Sequence, residues 1–326
     1  MVVVHEQFGT ATLELPHGGE IDMVTARSES YAHPGALPTV EPGSLADDLA
    51  RRDIAINAMA FALSGRDAGI LIDPHNGYAD LCNRIVRVLR DDALTEDPSR
   101  VVRVARYAAR LGFALEPRTA RMAREAASGV DLQSARAADE FARLLREDTV
   151  TAAVGVAMLC ELGVPWCGSS DATSFADIDA ARSHPNAPPL PAWPLRFGWC
   201  VPVELIRTAA LPGWARGLAE EAAQGRDLAK RLNQVAATPS MIDRTLSSAR
   251  PATACAALAA GAEIVATWWT EWGPLVLDIN GTDLVAAGIP PGPALGRGLR
   301  AARAAVLDGH AVSRDEQLAV ALEAAR

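Results

Sequence analysis

In the stretch Asp91-Asp92-Ala93-Leu94-Thr95-Glu96-Asp97-Pro98-Ser99-Arg100, acids gather ahead of a run in which arginines recur three residues apart, at Arg100, Arg103 and Arg106, with Arg110 four further on. That spacing is the period of a helix: it sets the guanidiniums on one face and Val101, Val104, Ala105 and Ala108 on another. Thr95 is a suitable N-cap, and Glu96 and Asp97 suit the positive end of the helix. Pro98 is tolerated there because first-turn N–H groups have no intrahelical partner. On the pattern alone, the simplest reading is an amphipathic helix with a solvated basic face.

The pair at its start allows a second reading. Asp97 and Arg100, three residues apart, are expected to be neighbours on the helix surface. A carboxylate that only accepts, beside a guanidinium that only donates, makes an acceptor–donor edge. Cytosine and adenine each offer an amino donor next to a ring acceptor. Guanine and uracil put a carbonyl where that amino group would be, facing the carboxylate. Such a pair could select C and A and reject G and U with no nucleic-acid template.

The 326 residues suffice for two or three compact units, and nearly half are apolar, so a sizeable core is expected. No run approaches a membrane span, and Met1-Val2-Val3-Val4-His5-Glu6 lacks the basic start of a signal peptide, which leads to a cytoplasmic expectation. The five cysteines, Cys82, Cys160, Cys167, Cys200 and Cys255, have no metal-finger spacing, so reduced thiols are expected. A net charge of −9 argues against indiscriminate nucleic-acid binding, yet arginines outnumber acids from Arg84 to Arg146, so the basic surface is local.

Residues 2–4, 10–15 and 20–25 read as short strands, the last placing Glu20, Asp22 and Val24 on one face. Pro16-His17-Gly18-Gly19 is a turn signal, Ala32 to Pro42 a loop, and Ser44 the cap of a helix through Leu45, Asp48 and Leu49. Arg51-Arg52-Asp53 runs straight into an apolar segment interrupted only by Asn57. From Asp80 the periodicity is helical almost to Leu162, broken near Asp91–Leu94, Gly112 and Gly129. Arg136 and Glu140 stand one turn apart and are expected to form a structural ion pair. Asp73 and Asp80 read as turn and cap acids. Trp268, Trp269 and Trp272 read as packing residues. Pro165 to Pro194, rich in Pro, Ser, Asp and Asn, marks a boundary.

The ordered series Arg51-Arg52-Asp53-x-x-Ile56-Asn57-Ala58-Met59-Ala60, Ile72-Asp73-Pro74-x-x-Gly77-x-x-Asp80-Leu81 and Glu96-Asp97-x-x-Arg100-x-x-Arg103-x-x-Arg106, with Leu111-Gly112-Phe113 after it, resembles the class II tRNA nucleotidyltransferase and bacterial poly(A) polymerase family. The likeness reaches upstream to His5-Glu6-x-Phe8-Gly9-Thr10 and downstream to Asn280-Gly281-x-Asp283-Leu284 and Gly292-Pro293. It implies an α+β chain: a nucleotidyltransferase-type β-sheet head, truncated here, over 1–62, a helical neck with the nucleotide-selecting helix over 63–164, and a helical, tRNA-binding body and tail over 165–326. It implies addition of C and A to tRNA 3′ ends from CTP and ATP, with a divalent metal, usually Mg²⁺. It would put Arg51, Arg52 and Asp53 at the triphosphate and ribose, with Asn57 also at the nucleotide. Asp97 and Arg100 would read the base, Glu96 would hold Arg100, and Arg103 and Arg106 would line the same pocket.

Attack of a terminal hydroxyl on an α-phosphate calls for metal ions on a carboxylate cluster. The family's Asp-x-Asp lies on a strand ahead of the one that His5-Glu6-x-Phe8-Gly9-Thr10 matches. Gly18-Gly19-Glu20-Ile21-Asp22 imitates that motif but lacks its turn and helix; it fits better as the later strand, with Asp22 as the third metal carboxylate. One such acid cannot hold the metals, so the chain alone is expected not to catalyse addition. A poly(A) polymerase, or a tRNA- or nucleotide-binding module without catalysis, is the alternative.

Overall fold

The computed structural model describes residues 2–5, 9–30, 39–167, 174–234 and 237–326. Glu6 and Phe8 of the upstream motif, and Ala32 to Pro38 of the expected loop, lie outside the described residues. The chain forms two compact units, Met1–Glu147 with Val154–Cys167, and Asp148–Ala153 with Gly168–Arg326. The architecture is α+β as expected: short strands near the start, then helices.

In the first unit β1 (Val2–His5), β2 (Thr10–Glu14) and β3 (Glu20–Val24) form an antiparallel sheet in that order. β4 (Arg27–Ser30) pairs with β5 (Thr39–Pro42). The segment read as loop to Pro42 therefore ends as a strand. Thr39 and Val40 are β-branched, and Pro42, with no N–H to give, is confined to the strand's end. Gly43 follows at a close approach: a Cβ there would lie 2.6 Å from the Ser28 nitrogen. α1 (Leu45–Ala50) starts in a capping box, in which Ser44 Oγ accepts from the Asp47 N–H and the Asp47 carboxylate accepts from the Ser44 N–H.

Next come β6 (Ala60–Phe61) paired with β7 (Leu71–Ile72), α2 (Gly77–Asn83), β8 (Ile85–Val86), α3 (Ala93–Glu96), α4 (Ser99–Leu111) and β9 (Ala114–Leu115), which runs parallel to β8. α5 (Pro117–Ala126), α6 (Ala135–Arg146) and α7 (Thr149–Leu162) follow. Asp73 and Asp80 are structural acids: the first accepts from the N–H groups of Gly77 and Tyr78, the second pairs with Arg87. α4 buries Val101, Val104, Ala105 and Ala108 as its period predicts, and it packs on α6.

Three expectations are corrected here. Thr95 does not cap the arginine helix. It sits inside α3 with its hydroxyl on the Asp92 carbonyl, and α4 starts only at Ser99. The residue before a proline is steered to extended backbone, so Asp97, with φ −139°, separates two helices. Arg136 and Glu140 do not pair with each other: Arg136 reaches Asp97 at 3.0 Å, and Glu140 takes Arg103 and Arg106. Tertiary partners outbid a one-turn contact that is weak in water. Finally, Cys160 and Cys167 are a disulfide. Gly163, at φ 87°, ends α7 in the left-handed region, turning the chain back until the two Cα atoms lie 5.2 Å apart. The returning segment seats Trp166 on Phe141 of α6, with its indole N–H on the Val130 carbonyl.

The second unit is helical: α8 (Ser174–Arg182), α9 (Ala192–Cys200), α10 (Val203–Thr208), α11 (Gly213–Ala223), α12 (Gly225–Gln234), α13 (Pro239–Ser248), α14 (Pro251–Ala259), α15 (Ile264–Thr267), α16 (Gly281–Ala286), α17 (Pro293–Leu307) and α18 (Arg314–Ala325). Its last helices close on Ile279, Leu284, Ile289, Ala302 and Ala321. The tryptophans do pack: Trp269 is buried, and the Trp268 indole donates to Asp243. No helix among the described residues is long and apolar enough to cross a membrane.

Candidate nucleotide-binding cleft

A cleft of about 450 Å³ in the first unit is walled by Arg51, Arg52 and Asp53, by Asp97, Ser99, Arg100 and Arg103, and by Arg136, Asp139 and Glu140 of α6, with Arg27 of β4 at its edge. Six of the residues picked from sequence thus share one cavity: Arg51, Arg52, Asp53, Asp97, Arg100 and Arg103.

The first wall is set by α1. Asp48 is 6% exposed. Its Oδ1 accepts from Arg51 Nε at 3.0 Å and Nη2 at 2.5 Å, and its Oδ2 from Arg52 Nη2 at 2.8 Å. Burial works against ionisation of Asp48, but the Arg52 and Arg51 guanidiniums outweigh it and hold the carboxyl below its ordinary range. Asp53, 9% exposed, is fixed from both sides: one oxygen accepts from the Ile54 N–H at 3.0 Å, the other from Arg103 Nε.

Arg103 bridges onward to Glu140 at 3.0 Å. Burial works against its charge, yet Asp53, Tyr107 and Glu140 raise its pKa above the ordinary arginine value. Arg106, 6% exposed, lies behind the wall between Glu140 and Glu147. Within the arginine series Arg110 is exposed, but Arg103 and Arg106 are not on a solvated face. Arg103 and Arg106 are tied to acids of α6 and of the residue that follows it.

Asp97 and Arg100 both face the cleft, though not as helix neighbours. Asp97 lies outside α4; a turn in which the Arg100 N–H donates to the Asp97 carbonyl at 3.0 Å brings the two together. Asp97 Oδ1 accepts from the Ser99 N–H and hydroxyl, and Oδ2 from Arg136 Nη1. Arg100 Nη1 donates to the Ala93 carbonyl at 3.2 Å.

Among the described residues, Asn57, Glu96, Arg106 and Asp22 do not line the cleft. Asn57 ends a 3₁₀ turn, Ala55–Asn57. The guanidinium that Glu96 pairs with is that of Arg90. Asp22 is exposed on β3, accepting from Thr12 Oγ1 at 2.7 Å. No group of three His, Cys, Asp or Glu side chains among the described residues is placed to hold a metal.

Sequence reading missed Asp48 as a partner of the arginines, although three- and four-residue spacing behind a Ser44 cap was a visible signal. Arg27, Ser99 and Asp139 were also missed, and for Arg27 only tertiary pairing of β4 reveals it.

The Poly A polymerase head domain matches residues 1–87. The A-adding tRNA nucleotidyltransferase of Halalkalibacterium halodurans is 44% identical over 36% of this chain, which spans 28% of that protein's length. The Thermotoga maritima CCA-adding enzyme complexed with tRNA shares the fold, with a TM-score of 0.76 at 22% identity, over 100% of this chain and 81% of that one. The CC-adding tRNA nucleotidyltransferase of Deinococcus radiodurans is 32% identical over 97% of this chain and 76% of its own length. With a relative of that identity matched along nearly all of it, this chain belongs to the class II tRNA nucleotidyltransferase family.

Proposed function

We propose that the chain serves the untemplated addition of C or A nucleotides to tRNA 3′ ends, selecting CTP and ATP in the cleft between α1, α4 and α6. The observation that carries this reading is the convergence of the Asp97–Arg100 edge and the Arg51–Arg52 pair on one cavity. In it, Arg51 and Arg52 take the triphosphate by charge-assisted bonds, and Asp53 accepts from a ribose hydroxyl. Asp97 accepts from the amino group of cytosine or adenine while Arg100 donates to the ring acceptor. A bound base shares the Asp97 oxygen that Arg136 now holds, or displaces Arg136 from it. Arg103 and Arg106 stiffen the wall through Glu140. The CC-adding and A-adding relatives and the tRNA complex of the Thermotoga enzyme support tRNA as the partner.

Mg²⁺ is the expected metal, with Asp22 as one of its acids. One acid cannot hold it, so the addition step needs further carboxylates beside Asp22. The test is labelled CTP or ATP with tRNA that ends before CCA, offered to this chain and to a version carrying an upstream Asp-x-Asp segment. Whichever version adds nucleotide should add C or A, and a short product excludes poly(A) synthesis. Binding of tRNA with no addition by either version would leave a binding module. Equal use of all four nucleotides would reject the base-reading pair.

A further inference from the structure

We propose that Asp48 is a positioning residue for the triphosphate: its one carboxylate, an oxygen to each guanidinium, aims Arg51 and Arg52 together into the cleft. The inference rests on the nucleotide reading of that cleft and deepens it. Neither the arginines nor their acid is placed by chance. The Ser44–Asp47 capping box fixes the start of α1, so the buried carboxylate one turn later has a set position. Arg51 binds Oδ1 through two nitrogens and Arg52 binds Oδ2, so two like charges adjacent in sequence are held side by side rather than driven apart. One carboxylate with two guanidiniums leaves the trio net positive. Asp48 is held ionised by the two guanidiniums against the effect of its burial.

Charge and geometry make opposite forecasts here. If Asp48 only diluted the positive field, its removal would tighten binding of an anion. If it sets the arginines' direction, its removal loosens binding even though the cleft becomes more positive. The experiment compares CTP with CMP by titration calorimetry on the full chain, using wild type, Asp48→Asn and Asp48→Glu. For Asp48→Asn, CTP affinity should fall about tenfold, the loss of roughly one charge-assisted bond, while CMP should change less than about twofold. Asp48→Glu keeps the charge and should recover part of the CTP–CMP gap. Tighter CTP binding by the Asn variant overturns the proposal. So does an equal loss for CTP and CMP with a lowered melting temperature, which marks a merely structural acid. If wild type shows no preference for CTP over CMP, the nucleotide reading falls and this inference with it. A wild-type preference that the Asn variant keeps in full removes only the role of Asp48.

Discussion

Two buried carboxylates with arginine partners behave differently in the two units. Asp243 of α13 accepts from Arg303 of α17 through two nitrogens at 2.8 and 2.9 Å and from the Trp268 indole at 2.8 Å. Other Arg303 donors reach the carbonyls of Leu275 and Trp272. Acid and base there stand one to one, and the donors finish on backbone. At Asp48 one acid serves two arginines, and both of those line a cavity. The cavity beside Asp243 is the larger, about 580 Å³ against about 450 Å³. The proposed nucleotide site is thus not the roomier of the two. The difference lies at the acid itself: Asp243 is bridged by one guanidinium and Asp48 by two.

Breaking the matched pair should have the largest effect. Arg303→Met leaves Asp243 buried without its counter-ion and should cost about 3 kcal/mol of stability, seen in chemical denaturation, with CTP binding unchanged. Next in size, Asp97→Ala or Arg100→Ala, in the version carrying the Asp-x-Asp segment, should reduce the preference for CTP over UTP about tenfold, within the range of one bidentate base contact, and weaken tRNA binding less. Acid sharpens the comparison. Burial opposes ionisation of Asp243, but Arg303 and Trp268 prevail and lower its pKa below the ordinary 3.8; Asp48 is lowered likewise. Groups depressed in the folded state stabilise fully above the unfolded pKa and lose that contribution as pH falls through the folded one. Melting temperatures should therefore hold down to about pH 4 and drop below it, and Arg303→Met should flatten the acid limb. The smallest effect belongs to Arg143→Ala: its partner Asp139 is an exposed neighbour one turn away, and the loss should stay under about 0.5 kcal/mol.

The sequence was most legible where period and cap chemistry act locally. The apolar face of α4, the Ser44 cap and the first strands follow from spacing and side-chain preference alone, and the motif series brought Arg51 to Arg103 to one cavity. The failures came where distant chain competes. Spacing pairs Arg136 with Glu140, but Asp97, ahead of α4, takes the first and Arg103 of α4 the second. Cys160 and Cys167 have no recognised spacing, and their meeting depends on the reversal at Gly163. Pro98 was read as tolerated within a helix start, when its effect on Asp97 was to divide the segment. Arg27 has no periodic signal, since its position depends on the β4–β5 pairing.

Because Asp97 hangs on extended backbone and Arg100 on the first turn of α4, the two halves of the proposed reading edge are joined by a turn through two residues instead of one continuous helix. Helical pitch does not dictate their separation. A change at Pro98 or Ser99 would rotate the acid relative to the base while leaving both in place, so nucleotide preference could drift by altering the joint without touching either reader.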